Sequence, residues 1–166
     1  MIFDELYQEH YEKIYRFCYR FTGDAEQAAD LCQDTFLKLF HRLKIKSAMI
    51  ENPQAWLYKV SGNLCINAVE SRNSRHDLLH SMSLNSIEDL NPELALIVNE
   101  NRNMIRDAIE KLEPKLRMLI LMYQDGLSYK EMAEATEISF NSVGKTLWRT
   151  IDKLSETIKK QDYEYK

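Results

Sequence analysis

Apolar residues return along the first part of the chain at steps of three and four: Phe3, Leu6, Tyr7, Tyr11, Ile14, Phe17, Cys18 and Phe21. That spacing gathers them on one face of an amphipathic α-helix. Thr22-Gly23 breaks the pattern, and Asp24 followed by Gln27 forms a capping-box start for the next helix. There the stripe is Ala25, Ala28, Ala29, Cys32, Phe36, Leu39, Phe40 and Leu43. The loop KIKSAMIE, residues 44–51, follows. Asn52-Pro53 opens a third helix, with Asn as cap and Pro at the first helical position. Its predicted buried side is Leu57, Val60, Leu64 and Ala68. In HDLLHSMSLNSIEDLN, residues 76–91, periodicity fades into Ser, Asn and Asp, which predicts a linker. Asn91-Pro92 restarts helix, with a stripe of Leu94, Ile97, Val98, Met104, Ile105, Ala108, Ile109 and Leu112. Glu113-Pro114 ends it. A helix carrying Leu116, Leu119, Ile120 and Tyr123 comes next, and Asp125-Gly126 stops that one.

The last part of the pattern is the most distinctive. Ser128 and Glu131 form a second capping box. Met132 and Ala133 face inward, the small Ala letting another helix approach closely. Ile138 plugs a tight turn that carries Glu137 where Gly is commonest. Ser139 or Asn141 caps the following helix, in which Val143, Leu147, Ile151, Leu154 and Ile158 point to the core. Small residue, turn, apolar anchor and second helix is helix-turn-helix spacing, here about residues 128–148. Asn141, Ser142, Lys145, Thr146 and Arg149 face outward at the start of the second helix, short polar or basic groups suited to base edges and phosphates. Gly144 costs that helix about 1 kcal/mol relative to Ala.

Composition narrows the class. The 166 residues, 45% of them apolar, suffice for one ordinary domain or two small ones. Four glycines and three prolines are few interruptions and favour an all-α fold. No apolar run reaches membrane-spanning length, and the acidic amphipathic N-terminus is not a signal peptide. The three cysteines, Cys18, Cys32 and Cys65, are odd in number and form no CxxC pair. They read as small core residues rather than a disulfide framework or a zinc site, and no metal or cofactor is expected. No nucleophile–base pair or phosphate loop is visible, so no enzyme activity is expected.

Charge is segregated within an overall net of −4. Residues 1–34 carry a net of −5, residues 35–75 a net of +5, residues 76–113 a net of −5, and residues 114–166 a net of +1. Within the last stretch, residues 139–160 hold five basic and two acidic groups. A basic segment between acidic ones can serve two different partners.

Three stretches in order carry a resemblance to a known family. GLSYKEMAEATEISFNSVGKTLWRTIDKL is similar to the region 4 signature of small bacterial sigma factors. DLCQDTFLKLFHRL, residues 30–43, resembles their region 2 polymerase-binding helix. NPQAWLYKVSGNLCINAVESR, residues 52–72, resembles the promoter-melting and −10 reading helix. Together they look like the extracytoplasmic-function (ECF) group of the sigma-70 family, over nearly the whole chain apart from the linker. The resemblance implies two small helical domains: region 2 at residues 1–75, a flexible linker at 76–91, and region 4 at 92–166. It implies that Asp30, Gln33 and Asp34 meet a coiled coil of the polymerase β′ subunit, with region 4 on the β flap. It implies that Trp56, Lys59, Asn63 and Asn67 read and melt the −10 element, where a ring can support an unstacked base, an amide its edge and a lysine phosphate. The −35 element falls to the outward residues of the helix-turn-helix. Gly62 departs from relatives, which often carry a basic residue there. The loop at 44–51 resembles the family's specificity loop, without nominating one side chain. Expected partners are core RNA polymerase, promoter DNA and an anti-sigma factor. The expected location is the bacterial cytoplasm, with retention at the membrane through the anti-sigma factor. A stand-alone helix-turn-helix regulator and a protein-binding helical module are the alternatives.

Overall fold

A computed structural model describes residues 2–45, 49–74 and 92–164, with side chains throughout except at 74 and 92–100. The linker expected at 76–91, Asn91 and loop residues 46–48 lie outside the described residues. The side chains of Leu94, Ile97 and Val98 fall there too. Seven helices and no strand make up the described chain: α1 (Ile2–Thr22), α2 (Ala25–Lys44), α3 (Pro53–Ser74), α4 (Pro92–Glu110), α5 (Pro114–Gln124), α6 (Tyr129–Thr136) and α7 (Phe140–Glu164).

The first three helices pack around Ile14, Phe17, Cys18 and Phe21 of α1, Cys32, Phe36 and Leu39 of α2, and Leu57, Tyr58 and Cys65 of α3. The turn after α1 uses Gly23 at φ +72°, a conformation that costs a residue without Cβ nothing. Asp24 then accepts the Gln27 N–H at 2.9 Å and starts α2. The reciprocal half of that capping box is absent, because the Gln27 side chain accepts from Arg72 of α3 instead, at 2.7 Å. Ala25 is exposed, contrary to the stripe, whereas Leu31 and Thr35 are buried. Thr35 tolerates burial because its hydroxyl donates to the Leu31 carbonyl. His10 is also buried, and that burial lowers its pKa. All three cysteines lie in the core, as expected.

α3 departs most from its predicted pattern. Leu57 is fully buried, but Val60, Leu64 and Ala68 are only half-buried. Tyr58, Ser61, Cys65 and Val69 carry the burial in their place. The reason is that α3 is covered on two sides, by α1 and α2 and by α5 and α6. A helix with two partners has no single stripe. Tyr58 shows both sides at once: its ring meets Phe17 edge-on at 5.1 Å, and its hydroxyl donates to Asp125 at 2.8 Å.

The second half is built around α5, where every residue from Arg117 to Met122 is buried. Tyr123, placed on the predicted stripe, is 48% exposed. In α6 it is Ala135, rather than Ala133, that sits deepest beside Met132. In α7, Val143, Leu147 and Thr150 are buried, while Ile151 is exposed. Thr150 bonds back to the Thr146 carbonyl and so replaces Ile151 on the inner face. Core residues of both halves form one continuous hydrophobic cluster.

Candidate nucleic-acid interface

The helix-turn-helix is assembled from caps. Ser128 and Glu131 form the complete box: the Glu131 N–H donates to the Ser128 hydroxyl at 3.2 Å, and the Ser128 N–H to the Glu131 carboxylate at 2.8 Å. α6 ends at Glu137, a non-glycine residue in left-handed conformation at φ +61°. Its N–H closes on the Ala133 carbonyl, which tightens the turn. Ser139, rather than Asn141, starts α7, its carbonyl accepting the N–H groups of Ser142 and Val143.

That geometry rolls Val143 and Leu147 inward. It leaves Asn141, Ser142, Lys145 and Arg149 exposed on the opposite side, with Thr146 half-buried. Two aromatic residues share the exposed surface, Phe140 at 59% and Trp148 at 67%. Neither is a polar base-reading group, which is why outward polar spacing does not single them out, although Trp148 directly precedes Arg149. Gly144 has a local purpose: a Cβ there would sit 3.1 Å from Cε2 of Tyr129, the first residue of α6. The missing side chain lets α6 lie close against α7.

On α3, Asn52 caps the helix by accepting the Ala55 N–H at 3.0 Å. Trp56 is half-buried against the core, Lys59 is half-buried, and Asn63 and Asn67 are exposed on successive turns. Trp56 and Lys59 line an open cleft of 340 Å³ with Arg42, Met49 and Glu134. A tryptophan face and two cations around a cavity suit a base with its phosphate. The cleft is not free, however. Lys59 Nζ lies 2.9 Å from the Glu137 carboxylate, a pairing that holds the Glu137 pKa below its usual value. Asn52 and Gln54 donate to Glu131 at 3.3 and 3.1 Å. Burial opposes ionisation of Glu131, but the Ser128 cap and these two amides outweigh it and lower its pKa.

On α2, Asp30, Gln33 and Asp34 are exposed, opposite the buried Phe36 and Leu39. Leu37, 54% exposed, stands among them and adds an apolar contact to an otherwise acidic face. Among the described residues no cluster of three His, Cys, Asp or Glu is disposed to hold a metal, and no helix is long and apolar enough to cross a membrane.

Two family profiles match the chain: Sigma-70 region 2 over residues 6–75 and Sigma-70, region 4 over residues 102–154. The ECF RNA polymerase sigma factor SigE of Mycolicibacterium smegmatis is 26% identical over 164 residues. That alignment takes in 97% of this chain and 63% of SigE, so the chain spans under two thirds of that relative's length. SigW of Bacillus subtilis, also an ECF RNA polymerase sigma factor, is 27% identical over 95% of this chain and 89% of its own. Among solved structures, the sigma factor RpoE of Bartonella quintana, crystallised with the anti-sigma factor NepR, has the same fold. It superposes with a TM-score of 0.71 over 95% of this chain and 96% of that one, at 19% identity.

Proposed function

The chain belongs to the ECF group of the sigma-70 family of RNA polymerase sigma factors, and on that premise we propose how its surfaces divide the work of promoter recognition. The exposed Asp30, Gln33 and Asp34 of α2, with Leu37, dock on the β′ coiled coil of core RNA polymerase. Region 4 docks on the β flap. Asn141, Ser142, Lys145, Thr146 and Arg149 of α7 enter the major groove of the −35 element. Trp56, Lys59, Asn63 and Asn67 of α3 hold the −10 element as single strand, the base in the cleft offsetting its lost stacking. The chain acts as an initiation factor, without bond chemistry of its own, in the bacterial cytoplasm. An anti-sigma factor, the kind of partner seen with RpoE, restrains it.

The observation that carries this reading is the α6–turn–α7 unit, with one face of α7 buried and the other presenting two amide or hydroxyl groups and two cations to solvent. Few phosphates can be neutralised by so few cations, so tight promoter binding needs the polymerase. The test is run-off transcription with bacterial core polymerase on a genomic fragment library. The Lys145→Ala/Arg149→Ala pair is expected to abolish promoter-dependent transcripts while still co-purifying with core. Unchanged transcripts would remove the DNA role of α7. A purified chain that shifts a palindromic duplex at nanomolar concentration without polymerase would instead favour a stand-alone regulator.

A further inference from the structure

Three carboxylates of α6 and its C-cap stand at three-residue intervals: Glu131, Glu134 and Glu137. Each addresses the part of α3 assigned above to the −10 element. Glu131 accepts from Asn52 and Gln54. Glu134 lines the cleft with Trp56 and Lys59. Glu137 pairs with Lys59 at 2.9 Å. An acidic helix edge thus occupies the surface where a phosphodiester strand would run, and its oxygens take the donors that phosphates would use.

Exposed ion pairs alone hold two bodies together weakly, but an apolar and partly buried seam lies behind them. Met118 of α5 fills the notch left by Gly62 on α3; a Cβ at that position would lie 2.6 Å from the Met118 sulfur. Met118 is 1% exposed, so it has nowhere to retreat. Asp125, just after α5, accepts from Tyr58 of α3 and from Arg20 of α1. Arg117 of α5 donates to the Phe21 carbonyl at the end of α1 at 3.1 Å. The basic residue common in relatives at position 62 could not coexist with this packing. Meanwhile the outer face of α7 remains open.

We propose that the free chain masks itself: α5 and α6 of region 4 close over α3, and the acidic edge of α6 stands in for single-stranded DNA at the −10 reader. The −35 reader stays accessible in this state while the −10 reader is shut. Polymerase, by holding the two regions apart, uncovers α3. This inference rests on the assignment of α3 to the −10 element.

The test opens the seam without altering charge. Gly62→Leu drives a side chain into Met118, whose side chain supplies the nearest atoms to a Cβ at that position. Small-angle scattering reports closure, and fluorescence anisotropy reports affinity for random-sequence single-stranded DNA of about 16 nucleotides. A compact body of 166 residues has a radius of gyration of about 15 Å. The wild-type chain is expected near that value and Gly62→Leu clearly above it. The variant should bind the single strand about tenfold tighter, as when a competent state about one-tenth populated becomes dominant. Adding Trp56→Ala should remove the gain. Should Gly62→Leu not fold, Glu134→Gln/Glu137→Gly serves, because glycine suits the left-handed turn; it is compared with a charge-matched Glu12→Gln/Glu26→Gln control. Failure of the Glu134→Gln/Glu137→Gly pair to exceed that control, a wild-type chain already extended, or an expanded Gly62→Leu with unchanged affinity would overturn the masking. In any of these cases, loss of promoter-dependent transcription in Trp56→Ala shows that the α3 assignment itself survives. Indifference of both binding and transcription to Trp56→Ala overturns the assignment and the masking together.

Discussion

Glu131 serves two structures with one carboxylate, and substitution can separate the two uses. Ser128→Ala removes only the hydroxyl arm of the α6 capping box, which is expected to cost about 1 kcal/mol. Glu131→Ala removes the carboxylate arm of the same box and also the acceptor for Asn52 and Gln54 of α3. Hydrogen bonds to a charged group contribute about 1.5–3 kcal/mol when buried. These two are half-exposed and 3.1–3.3 Å long, so roughly half the lower figure each is a fair expectation. Glu131→Ala should therefore lower stability by about 2–3 kcal/mol, twice the Ser128→Ala effect or more. For a chain of this size that corresponds to a melting temperature reduced by about 4–12 °C. The double variant should be close to Glu131→Ala alone, because both residues act through one box. Acid gives a second check. The Glu131 carboxyl is held below its ordinary value of 4.5 in the folded chain. Its contribution is complete above that ordinary value and is lost as pH falls through the lower folded one. The gap between wild type and Glu131→Ala, measured by urea unfolding and far-ultraviolet circular dichroism, should thus be wide at about pH 7 and narrow as pH falls below 4.5 through the lowered folded value. Equal losses for Ser128→Ala and Glu131→Ala would show that the bonds to α3 contribute nothing. A gap that persists in acid would show that the charge is not what matters.

Other substitutions probe separate features. Arg117→Met removes a buried guanidinium that donates to the Phe21 and Glu110 carbonyls and lies 5.1 Å from the Phe21 ring. It should lower the urea midpoint by the equivalent of about 3 kcal/mol, and an unchanged midpoint would mean those carbonyls find other donors. Gly144→Ala gains up to about 1 kcal/mol of helix propensity against a 3.1 Å contact with Tyr129. Tyr129 is 47% exposed and can swing aside, so a small rise in melting temperature is expected; a fall would show that the ring is pinned. His10→Leu should flatten part of the pH dependence of stability. Burial lowers the His10 pKa below 6.5, so the wild type loses stability as pH falls from 6.5 through the folded value, and leucine has no proton to take up.

The helices were legible because caps and breakers are local. Asp24, Asn52, Ser128 and the glycines at 23 and 126 mark ends with short-range chemistry that tertiary packing did not override. The buried side of α3 was not legible, because burial on two sides leaves no period to detect. Tyr58 and Ser61 look amphipathic or polar in sequence, yet both are buried once Asp125 and the local carbonyl take their hydroxyls. Of the proposed interface groups, Lys145 and Arg149 could be read as exposed from outward spacing alone. Trp148 and Leu37 could not, since an exposed apolar residue looks like a core residue until the partner helices are in place. The approach of α6 to α3 joins residues such as Lys59 and Glu137 that are far apart in sequence, and no local pattern announces such a pair.

Cys18, Cys32 and Cys65, all on the first three helices, are buried. Burial drives the Cys32 thiol up to about 12, and Cys18 is pushed higher still, first by its bond to Cys65 and then by burial. At Cys18 and Cys32 the thiolate, the species that alkylating reagents attack, is therefore withheld in the native chain. Iodoacetamide should leave the intact protein's mass unchanged for as long as that bundle stays shut. Because the region 4 helices contain no cysteine, every label the reagent leaves once the structure opens falls on the first three helices.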